Sequence, residues 1–214
     1  MPYFELPSAG PPSFPPAHFA DQEGLLATGG ELTAEWLLAA YQAGIYLWCS
    51  PMEPLYWWSP DPRIVLFPED IHIPGPVRAL QNDESLQKRF NAELPRLIKL
   101  CEEQWNQPPM SREWLSGAFA QAYLELGKTG VVRSIILQKN GEILGGAFGA
   151  LHGRVFSCEY VCENQSGYAE LALIELSRKL STEGMVCMDL HKDTSATDDI
   201  GYREISKNEF LSLL

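Results

Sequence analysis

Residues 24–63 read GLLATGGELTAEWLLAAYQAGIYLWCSPMEPLYWWSPDPR, and no other stretch says as much about the fold. Its first half predicts a helix. Thr33 stands as an N-cap after Gly29-Gly30, Trp36, Leu37, Leu38 and Tyr41 fall on one face, and Gly44 supplies the stop. The second half predicts extended chain. Tyr46, Trp48, Tyr56, Trp57 and Trp58 sit among Pro51, Pro54, Pro60 and Pro62, whose fixed φ stiffens the backbone. Five aromatics held this way form either a proline-pinned miniature core or the wall of a binding site, and residue type alone allows both.

Working outward, 214 residues suffice for a full core, as one large domain or a small one leaning on a larger. No apolar run is long enough to span a bilayer and Met1 begins no leader pattern, so a cytoplasmic protein with no membrane partner is expected. The proline-rich segment from Pro2 to Pro16 reads as an arm over the surface. Cys49, Cys101, Cys158, Cys162 and Cys187 are scattered, with no His or Cys partners to complete a metal set, and are expected reduced and buried. The charge is −12, and the first seventy residues hold nine carboxylates against one base, Arg63. Such a surface repels the phosphates of a nucleic acid, so contact with an RNA body is not expected.

Past the aromatic block the pattern is α+β. Helices are predicted over Ala92 to Trp105, Ser111 to Gly127, Gly167 to Glu183 and Ser206 to Leu213. Strands are predicted over Val131 to Gln138, Glu142 to Ala150, Arg154 to Val161 and Met185 to Leu190, with Asn140-Gly141 as a hairpin turn.

Three segments of the block resemble one known family. Gly24 to Leu32, Ala40 to Ser50 and Trp57 to Arg63 are similar to the G-L-L-A-x-G-G-D-L, A-Y-x-x-G-I-F-P-W-x-S and W-W-S-P-D-P-R motifs of the leucyl/phenylalanyl-tRNA–protein transferases, with Glu31 for Asp and Leu47 for Pro. The resemblance implies a GNAT-like acyltransferase core, consistent with hairpin-joined strands followed by strand–helix–strand. On that basis residues 1–70 are expected to form an N-terminal arm and small aromatic-rich domain, and 71–214 the GNAT-like catalytic domain. The reaction implied is aminolysis of an ester: an apolar amino acid on the 3′ adenosine of tRNA passes to the α-amine of an acceptor with a cationic N-terminus. No cofactor and no metal are implied. With so few bases, tRNA binding is expected to be weak and limited to the acceptor end.

The same resemblance suggests site residues. Trp48 and Trp114 match tryptophans near the adenosine and the amino-acid pocket, and Tyr46, Trp57 and Trp58 extend that apolar wall as substrate-binding candidates. Glu159 matches a glutamate that can bind the acceptor's cation, and Asp189 an aspartate that orients the amine or helps move its proton. The family continues Asp-Cys-Gln where this chain has Asp189-Leu190-His191. Unlike an amide, an imidazole can accept the proton outright near neutral pH, so Asp189, His191 and Glu159 are the catalytic candidates. Asn164-Gln165-Ser166-Gly167-Tyr168-Ala169 also resembles the GNAT pyrophosphate loop, in which amides at a helix N-terminus bind the diphosphate of acyl-CoA. Two alternatives therefore stand beside the transferase: an acyl-CoA-dependent N-acyltransferase, and a catalytically silent module that binds N-terminal residues or adenosine.

Overall fold

The residue 24–63 block builds most of a small sheet around its helix. The structure, a computed structural model, describes residues 3–48, 54–105, 117–191 and 200–214. Strands β1 (Phe4–Leu6), β2 (Leu25–Gly29), β3 (Tyr46–Leu47) and β4 (Tyr56–Trp58) lie in the order β1-β2-β4-β3. Between β2 and β3 runs α1 (Ala34–Gln42), started by Thr33, whose Oγ1 accepts the Trp36 N–H at 3.3 Å. Gly44 ends it at φ 72°, a left-handed turn that favours glycine, and the tip of the Leu211 side chain packs closely beside it. The proline-rich arm is ordered: β1 pairs in parallel with β2, and the Phe14 ring packs edge-on against Trp36 and Trp57.

The remaining elements are β5 (Arg63–Leu66), α2 (Gly75–Gln81), β6 (Gln87–Phe90), α3 (Leu94–Trp105), α4 (Ala118–Lys128), β7 (Val132–Lys139), β8 (Glu142–His152), β9 (Val155–Glu163), α5 (Tyr168–Ser181), β10 (Cys187–Asp189), β11 (Tyr202–Ile205) and α6 (Lys207–Leu211). The seven strands form one sheet, β11-β5-β10-β9-β8-β7-β6. The β7–β8 hairpin turns through Asn140 and Gly141, both at positive φ, as the Asn-Gly pair requires. Strand alternation splits the core into two layers. Ile136, Phe148 and Tyr160 face α1, α3 and α4, whereas Ile135, Leu137 and Phe156 face α2 and α5. This is the α+β order of hairpin-joined strands followed by strand–helix–strand that the sequence predicts.

β5 belongs to this large sheet although it lies before residue 70. Val65 and Leu66 pair with Asp189 and Met188 of β10, while Arg63 to Leu66 pair with β11. The small sheet thus hands the chain directly into the larger one.

Two details of the sheet position the site. The pairing of β8 with β9 shifts between Phe148 and Gly149, so Glu159 is the extra residue of a bulge. Cys158 packs on the α5 side, Tyr160 on the α1 side, and Glu159 reaches α1 as well. β9 and β10 are parallel, and their register ends at Ser157 opposite Asp189. β9 continues to Glu163 while β10 stops, which leaves an opening beyond the end of β10. Among the described residues, no helix is long and apolar enough to cross a membrane.

Candidate active site

Asp189, His191 and Glu159 meet at that opening. Asp189 is fully buried, and Arg63 grips both of its oxygens, Nε donating to Oδ1 at 2.9 Å and Nη2 to Oδ2 at 2.7 Å. His191 lies two residues on at φ 62°, a left-handed conformation uncommon outside glycine. Its backbone N–H donates to Asp189 Oδ1 at 2.9 Å, and its ring Nδ1 lies 3.1 Å from Asp189 Oδ2. The Ile64 N–H donates to the His191 carbonyl at 3.1 Å, so β5 fixes the backbone as Asp189 fixes the ring. The other ring nitrogen, Nε2, is buried without a hydrogen-bond partner and lies 3.8 Å from Glu159 Oε2.

Glu159 Oε2 also accepts the Tyr41 O–H at 2.6 Å, and Tyr41 in turn lies 3.4 Å from the Tyr123 hydroxyl. Burial, and then the Glu159 charge, hold both phenols well above their ordinary range, so they remain donors. Burial works against a charged His191, but the Asp189 and Glu159 carboxylates outweigh it and raise its pKa above the ordinary value. Burial likewise works against the Asp189 carboxylate, but Arg63 and His191 hold it far below the usual carboxylate range. On the neighbouring strand His152 lies 2.9 Å from Ser157 Oγ, and burial pulls its pKa down to about 4. One histidine here is a stronger base than usual, and the other stays neutral.

The aromatic candidates divide. The Tyr46 ring stacks on His191 with centroids 4.2 Å apart, so it is a support for the imidazole more than a face offered to substrate. Trp57 is wholly buried, donates Nε1–H to the Gly29 carbonyl at 2.9 Å and packs on Phe14 and Trp36. It belongs to the miniature core and is not open to a substrate. Its neighbour in the same motif points the other way along the pleat. Trp58 is half-buried, and its Nε1–H donates to the Trp48 carbonyl at 2.9 Å. Trp48 is half-buried too. Trp114 lies outside the described residues.

Sequence reasoning missed Arg63 and Tyr41 as parts of the site. Arg63 closes the W-W-S-P-D-P-R motif but meets its partner 126 residues later, and Tyr41 reads as a plain apolar-face residue of α1.

The pyrophosphate-like loop is occupied from within. Gly167 is left-handed at the start of α5, as the loop pattern asks, but Glu163 Oε2 takes the Ala169 N–H at 3.1 Å. The Asn164 side chain donates to the Ile143 carbonyl, and Gln104 clasps the Glu163 backbone. A diphosphate there would meet a carboxylate. Cys101, Cys158, Cys162 and Cys187 are free and buried, and Cys49 lies outside the described residues. Among the described residues, no cluster of His, Cys, Asp and Glu could hold a metal ion. A groove of about 540 Å³ between α1 and α4, lined by Glu31, Trp36 and Glu125 among others, contains none of the expected site residues.

The family profile described as leucyl/phenylalanyl-tRNA protein transferase matches residues 65–214, and that of its N-terminal domain matches 30–61. A leucyl/phenylalanyl-tRNA–protein transferase of Aromatoleum aromaticum is 35% identical over 204 residues, covering 94% of this chain and 85% of the relative. One from Flavobacterium johnsoniae is 34% identical over 201 residues, covering 94% of both. Among solved structures, a GCN5-related N-acetyltransferase from Kribbella flavida aligns at 11% identity, covering 84% of this chain and 63% of that one with a TM-score of 0.45. With both of its parts matched and a third of its residues shared along nearly their whole length, the chain belongs to the leucyl/phenylalanyl-tRNA–protein transferase family.

Proposed function

We propose that this member of the family uses His191 as the proton carrier of aminoacyl transfer, with Asp189 holding its tautomer and Glu159 receiving the acceptor amine. The chain is an aminoacyltransferase of the leucyl/phenylalanyl type, moving an apolar amino acid from aminoacyl-tRNA to a protein N-terminus. One observation carries the assignment of roles: Nδ1 of His191 faces Asp189 Oδ2 while Nε2, without a partner, faces Glu159. A neutral imidazole that donates from Nδ1 leaves Nε2 as a free acceptor.

Glu159 has its Oε2 on the Tyr41 hydroxyl and facing His191, and its other oxygen draws in the acceptor N-terminus, whose ammonium gives one proton to water and reacts as the neutral amine. The amine nitrogen attacks the ester carbonyl carbon and forms the C–N bond. Nε2 takes the amine proton. As the C–O bond to the ribose breaks, Nε2 returns that proton to the leaving oxygen. The family's glutamine can only relay hydrogen bonds at this position, whereas the histidine can hold the charge. Trp48 offers an indole face for the terminal adenine, where stacking is worth roughly 1–3 kcal/mol. The acceptor class favoured is an N-terminus with positive charge, in keeping with the carboxylates at this centre and the acidic chain.

Incubation with leucyl- or phenylalanyl-tRNA and a peptide beginning with Arg tests the reading, with acetyl-CoA as parallel donor. Transfer should come from the aminoacyl-tRNA and not from acetyl-CoA, because Glu163 fills the diphosphate position. The rate should rise with pH through the raised pKa of His191, above 6.5, since only the neutral ring accepts a proton. His191→Gln should flatten that rise. Transfer that keeps the same pH profile in His191→Gln overturns the role of His191.

A further inference from the structure

We infer that Arg63 is a positioning residue of the reaction, setting the orientation and the working pH of His191 through Asp189 and Tyr46. The inference rests on the reading of His191 as proton carrier. Arg63 is 1% exposed, and every contact of its head group is made inside the protein. Besides both Asp189 oxygens, it donates from Nη1 to the Gly44 carbonyl at 3.1 Å. Its cation lies over the Tyr46 ring at 5.1 Å and over the Phe210 ring at 4.5 Å. Asp189 and Tyr46 are the two side chains that hold the His191 ring, one by hydrogen bond and one by stacking. Arg63 therefore touches both supports of the imidazole.

Two effects follow from that placement. The fork of two parallel N–H bonds fixes the plane of the Asp189 carboxylate, which turns Oδ2 towards His191 Nδ1. A lysine keeps the charge but not the plane. The second effect is charge sharing. Asp189 lies between two cations, Arg63 and a protonated His191, and the part of its field that Arg63 takes is not available to the imidazolium. Without Arg63, His191 would hold its proton to higher pH and Nε2 would be free less often.

The other titratable groups around this centre do not replace it. Glu159 on β9 is an anion and strengthens the imidazolium. His152 on β8 stays neutral, with its pKa pulled down to about 4 by burial. Tyr41 on α1 and Tyr123 on α4 stay protonated, and burial raises the Cys158 and Cys187 thiols. Among the described residues, Arg63 is the one fixed cation within ion-pair distance of Asp189.

The test uses Arg63→Gln and Arg63→Lys in the full chain, with pH–rate profiles of transfer and titration of the His191 ring by NMR of histidine-labelled protein. His191→Gln assigns the signal. Arg63→Gln should raise the His191 pKa by about one unit and shift the rate profile by the same amount. Arg63→Lys should leave both near their native values yet lower kcat roughly ten- to hundredfold, with KM for either substrate little changed. If Arg63→Gln does not fold, the kcat-against-KM split in Arg63→Lys decides alone. A His191 pKa that stays in place in folded Arg63→Gln, or a native kcat in Arg63→Lys, overturns the inference. A shifted ring pKa beside an unshifted rate profile upholds Arg63 as the support of His191 and overturns His191 as proton carrier.

Discussion

Trp48 and Trp57 belong to one conserved-looking block by resemblance, yet their truncation should be felt in different measurements. Trp57 has no exposed surface, and Trp57→Ala should cost about 3–5 kcal/mol of stability in urea titration. Trp48→Ala should leave the midpoint nearly in place and raise KM for aminoacyl-tRNA, by an amount equal to a stacking loss of about 1–3 kcal/mol. A large loss of stability in the Trp48 variant with unchanged KM would remove it from the site. The two buried histidines make a second residue-level prediction. His152 has its pKa pulled down to about 4, so the unfolded chain binds its proton more readily and stability falls as pH drops from about 6.5 towards 4. His191 has a raised pKa, so its contribution is fully present below the unfolded value of about 6.5 and is lost as pH rises through the folded value. Stability measured by denaturant at several pH values should therefore peak near neutrality. His152→Phe should remove much of the loss on the acid side, and an unchanged acid limb in that variant would show the cause lies elsewhere.

Elements, more than residues, explain which features could be read from the sequence. The capped α1, the Asn140-Gly141 hairpin, α5 and β10 carry local signals, and all are present. Strands β2, β5, β6 and β11 have four or five residues, too few for a periodic pattern, and β5 takes its place only by pairing with chain far ahead of it. The site was legible to the same degree. Asp189 and His191 could be named as candidates because the motif falls at the end of β10, whereas Glu159, in the middle of β9, could be named from its motif alone. That they form a chain through Arg63 and Tyr41 could not, since those contacts span 126 and 118 residues. The bulge in β9 was likewise invisible, although Gly149 marks its partner strand. A Cβ at Gly149 would stand 2.1 Å from the Ser157 carbonyl oxygen, and Ser157 lies opposite Asp189. Gly149→Ala should destabilise the protein by about 1–3 kcal/mol and reduce kcat, because backbone must move where the bulge sets Glu159. An alanine variant with native stability and rate would mean that the bulge does not position the carboxylate.

At the scale of the molecule the governing number is the charge of −12. Of the fourteen Lys and Arg among the described residues, eleven lie within 4 Å of a carboxylate, so few of these bases face solvent uncommitted. Binding of aminoacyl-tRNA should have a shallow salt dependence, equal to about two or three phosphate contacts, and a minihelix should serve nearly as well as whole tRNA. A steep dependence with strong preference for the full molecule would place an RNA-binding surface where the charge does not suggest one. The far end of the described chain is tied into the same centre. α6 lays Phe210 over Arg63, its Lys207 N–H meets Asp61 Oδ1 at 3.1 Å, and Leu211 fills the space beside Gly44. Deleting residues 207–214 should abolish transfer even if the two sheets still form, as circular dichroism beside an activity assay would reveal. Among the described segments, α6 is the one furthest along the chain that braces the linked Arg63, Asp189 and His191 side chains. Trimming of these last residues by a carboxypeptidase should therefore silence the centre from a distance, without removing any residue proposed to meet substrate.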